Sequence, residues 1–158
     1  MSVLVQKRNV IIKRMKELNS FNVRVYAICE NQGKILTVYE YHNEELYCKF
    51  PGGGLEFGEG VLDCLHREFM EELNVKIEIT GHLYTQEDYL ESIFDGGQIL
   101  IIYYTARILD PENLMVNTED INRLEWTDLN ENPFKFLTDK IALQKLREKY
   151  FKSLDFIL

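Results

Sequence analysis

Residues 53–75 read Gly-Gly-Leu-Glu-Phe-Gly-Glu-Gly-Val-Leu-Asp-Cys-Leu-His-Arg-Glu-Phe-Met-Glu-Glu-Leu-Asn-Val and set several acids and one arginine at fixed offsets behind a run of glycines. Leu62, Leu65, Phe69 and Leu73 recur at steps of three, four and four, the spacing of one apolar stripe on a helix, and that stripe is the expected buried face. On the same wheel Glu68, Glu71 and Glu72 fall roughly 110° from the centre of the stripe, at the edge of the helix. Like charges three and four residues apart repel, and the only local cation is Arg67. A divalent cation relieves such a ledge. Hard oxygen ligands open to solvent suit Mg²⁺ or Mn²⁺, which keep waters and share phosphate oxygens.

Upstream, Pro51-Gly52-Gly53-Gly54 follows the strand-like Leu46–Phe50 and reads as a turn whose backbone approaches a metal or a phosphate closely. Together with the acidic helix, these residues resemble the Nudix hydrolase signature, and they match it at Gly53, Glu59, Arg67, Glu68, Glu71 and Glu72, with Phe69 and Val75 at its apolar positions. Asn74 replaces the final glycine. That position calls for a left-handed backbone, and asparagine is the next-best residue for it after glycine.

The resemblance implies a Nudix fold, an α/β/α sandwich, and hydrolysis of a pyrophosphate link in a nucleoside diphosphate joined to another group. It implies that Glu68 and Glu72 ligate Mg²⁺ (or Mn²⁺), that Glu71 does so directly or through water, and that a backbone carbonyl of Gly52 or Gly53 adds a ligand. Glu59 and Arg67 match the pair that orients the acids; an arginine fork holds carboxylates without losing its charge. Family members often draw a base from outside the signature. Glu119, in Asn117-Thr-Glu-Asp-Ile121, is the first choice here, followed by Asp120 and then by Glu87, Asp88 and Glu91. A binding-only effector domain is the alternative, but such relatives usually lose acids from the ledge, and this chain keeps them. An isoprenoid isomerase would need a catalytic cysteine that has no place in this pattern.

The remaining sequence fits a small enzyme. A chain of 158 residues with 46% apolar content suits a single domain, residues 1–158, with a core of its own. Val23–Cys29, Lys34–Tyr41, Val75–Leu83 and Gln98–Ile108 read as strands, with turns at Asn31–Gly33 and Asp95–Gly97. Ile11, Met15 and Leu18 outline a short helix; a final helix begins near Pro133 with a stripe of Leu137, Ile141, Leu146 and Tyr150. That order predicts an α/β (α+β) fold, a mixed sheet with helices on both sides.

Net charge is −8, yet residues 1–22 carry Lys7, Arg8, Lys13, Arg14 and Lys16 against Glu17 alone, a basic segment of +4 on a body of −12. Such a body disfavours nucleic-acid polymers and leaves a small nucleotide substrate as the expected partner. The basic segment would suit a homodimer. No apolar run approaches the ~20 residues of a membrane span, and no secretory signal is visible, so a cytoplasmic location is expected. Cys29, Cys48 and Cys64 lack metal or disulfide spacing and read as packing residues. Tyr39, Tyr41, Tyr47, Phe57, Tyr84 and Tyr89 are the aromatic candidates for holding a base.

Overall fold

A computed structural model of the chain describes residues 20–155. The helix expected at Ile11–Leu18 and nearly all of the basic segment lie outside the described residues; Phe21 and Asn22, grouped with that segment above, already belong to a strand. The elements run β1 (Phe21–Asn31), β2 (Lys34–His42), β3 (Glu45–Lys49), β4 (Gly52–Gly54), α1 (Val61–Leu73), β5 (Ile77–Thr85), β6 (Leu90–Glu91), β7 (Gln98–Ile108), a 3₁₀ turn (Pro111–Asn113), β8 (Ile121–Asp128) and α2 (Leu137–Asp155).

β1 is the central strand. One edge pairs in parallel with β7, in register from Phe21 opposite Gln98 to Cys29 opposite Ala106, and every other strand pair is antiparallel. The other edge is shared between two partners. At the hairpin end Glu30 and Asn31 pair with Ile35 and Lys34 of β2, through a two-residue turn in which Gln32 and Gly33 both have positive φ (53° and 77°), the geometry that matches strand twist. Beyond this point β2 leaves β1 and runs between β3 and β8, while β1 takes β4 as its neighbour. The glycine run expected as a turn is therefore a short strand. Three residues without side chains carry no alternation to reveal a strand, whereas the backbone pairs Arg24–Gly54, Val25–Gly53 and Tyr26–Gly52 define it.

Successive β1 side chains enter opposite layers, as the pleat requires. Val25, Ala27 and Cys29 pack with Cys64, Leu65, Phe69 and Leu73 of α1; Tyr26 and Ile28 pack with Ala142, Leu143 and Leu146 of α2. The result is the expected mixed sheet with a helix on each face. All three cysteines are free and buried.

Two stripe assignments differ. Leu62 is 43% exposed and Cys64 takes a core place instead: Leu62 has a suitable angle, but it sits in the first turn beside exposed Gly60 and Asp63. In the last helix Leu137 is 71% exposed, and the inward residues are Thr138, Asp139, Ala142, Leu143 and Leu146. Polarity hides that face from a hydrophobicity pattern, because the buried Asp139 is accommodated by the Tyr103 hydroxyl, which donates to Oδ1 at 2.7 Å.

Burial pushes the Asp139 carboxyl from its ordinary 3.8 up to about 7, while Tyr103 and Lys49 pull it down. Between those two values the native state binds more protons than the unfolded chain, so stability declines as pH rises through that window and stays lowered above it. Asp139→Asn keeps an acceptor for Tyr103 and removes the ionisation. Thermal melts of this variant are expected to show a weaker decline from pH 4 to 7 and a melting temperature raised by several degrees at pH 8. An unchanged pH slope would mean that another group titrates there.

Candidate functional site

The site is assembled where β4 meets α1. Gly60 N–H donates to the Asp63 carboxylate (3.1 Å) at the start of the helix. At its end Asn74 adopts φ 56°, ψ 33°, the left-handed cap expected of it, and its N–H bonds the Met70 carbonyl at 3.2 Å. Gly53 lies directly against the helix: a Cβ there would overlap the Glu68 carboxylate. Gly52, at φ +133°, admits no side chain either, because a Cβ would meet the Val25 carbonyl and the Tyr26 backbone. Ala27 N–H bonds the Pro51 carbonyl and Leu55 N–H bonds the Val23 carbonyl. Val25 and Gly53 are therefore the hydrogen-bonded pair between them, and the antiparallel alternation turns the Gly52 carbonyl away from β1.

Arg67 is the hub. Its guanidinium grips Glu59 with two bonds (Nη2 to Oε1 2.7 Å, Nε to Oε2 3.0 Å), reaches Glu68 (2.9 Å) and Glu71 (3.2 Å) through Nη1, and donates from Nη2 to the Gly54 carbonyl at 3.0 Å. The fork and the Glu56 N–H together hold the Glu59 carboxyl down to about 2. One arginine thus joins the loop, the helix and β4.

Glu72 is different. It has no such bond, and its Oε2 is buried without a hydrogen-bond partner. Burial is the main cause that raises its carboxyl to about 7; Glu68 and Glu40 add to the rise, and Lys49 and Arg24 oppose it. It lines a cavity of about 420 Å³ with Arg24, Glu40, Tyr41, Lys49, Glu119, Asp120 and Asn122. Glu119 and Asp120 are thereby brought to the ledge, whereas Glu87 and Asp88 do not line that cavity and Glu91 lines a neighbouring one. The loop carrying Glu119 is fastened to α1, because Asn117 donates its backbone N–H to the Glu72 carbonyl (2.8 Å) and its side-chain amide to the Glu71 carbonyl (3.0 Å). These carbonyls belong to the last turn, which has no intrahelical donors for them.

Sequence reasoning missed Arg24 and Lys49. Burial works against the Lys49 charge, but Tyr26 and Glu40 more than offset it, and Glu40 lies 2.7 Å from its Nζ. For Arg24, a cation inside the run Val23–Cys29, whose other residues are Val, Tyr, Ala, Ile and Cys, was the available signal. Glu68, Glu71 and Glu72 share one ledge, though Arg67 bonds the first two, and among the described residues no three acid, histidine or cysteine side chains are already gathered to hold a metal ion. The donor set nevertheless fits a hard cation. Glu72 offers a buried oxygen that lacks a partner, and the absence of a Cβ at Gly53 leaves the Glu68 carboxylate its place beside the backbone.

Comparison with known proteins accords with this geometry. The NUDIX domain profile matches residues 19–149. A NUDIX hydrolase structure from Nitrosomonas europaea superposes with a TM-score of 0.70 at 20% identity, over 82% of this chain and 90% of that one. A MutT NUDIX hydrolase structure from Burkholderia pseudomallei gives 0.69 at 23% identity, over 80% and 98%. These likenesses establish a shared fold. The Mus musculus protein "Nucleoside diphosphate-linked moiety X motif 6" is 27% identical over 128 residues, 75% of this chain; the chain spans only 40% of the length of that relative. With a profile match over most of its length, an Arg67-centred signature and the mixed sheet that presents it, the chain belongs to the Nudix family.

Proposed function

We propose that this chain hydrolyses a pyrophosphate link in a small nucleotide with the help of a divalent cation, Mg²⁺ first and Mn²⁺ as a substitute. The observation that carries the reading is the buried, unpartnered Oε2 of Glu72, facing a cavity that also holds two cationic side chains and three further acids, Glu40, Glu119 and Asp120. Glu68, Glu71, Glu72 and the Gly52 carbonyl would hold the cation. Once bound, it supplies charge neutralisation at the phosphate oxygens and a lowered pKa for water. Arg67 and Glu59 keep Glu68 and Glu71 aligned. Arg24 and Lys49 attract the phosphates, whose negative charge would otherwise be repelled by Glu40, Glu72, Glu119 and Asp120. Glu119 accepts a proton from the attacking water as the bridging P–O bond breaks.

The test is phosphate and pyrophosphate release from nucleoside triphosphates, nucleotide sugars including ADP-ribose, and dinucleoside polyphosphates, each with Mg²⁺, Mn²⁺ or EDTA. Turnover of one class, abolished by EDTA, is the expected result; nucleotide-dependent thermal stabilisation without any turnover would replace this reading by that of a silent binding domain. Glu72→Gln should lower kcat by roughly 100-fold or more with the melting temperature preserved, since the ledge is not core. Near wild-type kcat would remove Glu72 from its role. Arg67→Lys keeps the charge but loses the fork, and steady-state kinetics should show kcat reduced by about 10- to 100-fold.

A further inference from the structure

Arg24 and Lys49 stand where the cavity of Glu72 meets a second one of about 320 Å³, and they line both. Along the second cavity Tyr47 stacks on Phe136 at 5.1 Å, Phe94 stands edge-on to both, and the His42 ring lies 3.9 Å from Phe94. Tyr26, which lines the same cavity, meets the two cations instead. Its hydroxyl accepts the Arg24 Nε–H at 2.7 Å, and the Lys49 Nζ lies 5.9 Å from the centre of its ring, within cation–π range. Tyr26 is only 7% exposed, and its ring packs at 5.8 Å on that of Tyr103, which is fully buried and bonds Asp139 of α2. Gly52 of β4 lies against the same residue, since a Cβ there would stand 3.1 Å from Cδ1 of Tyr26.

The two cations are held in different ways. Lys49 has a carboxylate partner, Glu40 at 2.7 Å, which offsets its charge. Among the described residues no carboxylate forms an ion pair with Arg24. A phenol oxygen fixes the guanidinium without neutralising it. Arg24 and Tyr26 are two residues apart on β1 and so share one face of the strand. A phenylalanine at position 26 would fill the same core place but leave the arginine free to spread over many rotamers.

We propose that Tyr26 is a positioning residue: its hydroxyl holds Arg24, with its charge uncancelled, at the junction of the two cavities for the phosphates of the substrate. The inference rests on the reading of Arg24 as a phosphate-binding group and adds what makes it one. Tyr26 acts through Arg24 and not on the substrate.

Calorimetric titration of the full chain with methylenediphosphonate and Mg²⁺ tests this apart from turnover, because the P–C–P bridge of this probe does not hydrolyse. Arg24→Ala should raise the Kd of the probe by roughly 20-fold and Tyr26→Phe by about fivefold, with the melting temperature unchanged. When the two are combined, the added effect of Tyr26→Phe should fall below about twofold; combined with Lys49→Met it should persist in full, because the ring is kept. Arg24→Lys keeps the charge, loses the Nε donor and should cost about fivefold whatever the behaviour of the Tyr26 variant. In turnover assays Tyr26→Phe should raise KM about fivefold with kcat within about twofold, the mark of lost binding. A Kd within about twofold of the parent in Tyr26→Phe, or in Arg24→Lys should the first variant melt early, would overturn the proposal. So would an equal Tyr26→Phe penalty with and without Arg24, or a parent chain that does not bind the probe. The expected pattern in a chain that turns over no substrate would uphold the role of Tyr26 and defeat the hydrolase reading instead.

Discussion

The site depends on one guanidinium. Arg67 makes contact with Glu59 in the loop before α1, with Glu68 and Glu71 on the helix, and with the Gly54 carbonyl on β4. Without it, Glu68 would face Glu71 and Glu72 within a single turn with nothing nearby on the helix to offset them. With it, two of the three acids have defined directions and the third, Glu72, is left to face the cavity. Because the same fork also bonds a main-chain carbonyl, the spacing between helix and strand is set by the group that orders the acids. Lysine has no such planar array of donors.

The balance of charge around Glu72 follows from the split edge of β1. Had β2 continued alongside β1, it would occupy the edge on which β4 brings Gly53 to the helix. The departure of β2 also gives β3 its place, and β3 carries Lys49 to the cavity that Arg24 reaches from β1. Acids and bases therefore meet across the fork: Glu40, Glu72, Glu119 and Asp120 against Arg24 and Lys49. The acids hold a two-charge excess when all are ionised, which a divalent cation would cancel and so remove the cavity's repulsion of phosphate.

How much of this was legible in the sequence depended on whether a residue's role is set locally. The α1 signature, the left-handed Asn74 and the two-residue turn before β2 are local, and the sequence pattern placed them correctly. β4 was not legible, since glycines have no side-chain alternation and its pairing partner lies nearly thirty residues away. Leu62 and Leu137 were misplaced because angle on a helix does not tell which turns lie over a sheet, and Asp139 was missed because an acid becomes a core residue only when a distant hydroxyl, that of Tyr103, is there to meet it. Of the six aromatic candidates, Tyr41 and Tyr47 do line the second cavity; Tyr39 instead lies under the Arg123 guanidinium, Tyr84 stacks on Tyr103 and Phe57 is fully exposed. Phe94, Phe136 and His42 sit at loops and strand ends, where no periodicity marks a residue as inward-facing.

Asn117 spans the end of α1 twice, by main chain and by side chain, at the carbonyls of the very residues whose carboxylates form the ledge. The loop that brings Glu119 to the cavity is thus seated on the helix terminus at one end and, at the other, on the sheet, where Ile121 of β8 pairs with Glu40. Fraying of that last turn would therefore free one end of the loop that carries Glu119 at the moment it releases Glu71 and Glu72, so order at the helix terminus and order in the loop are coupled.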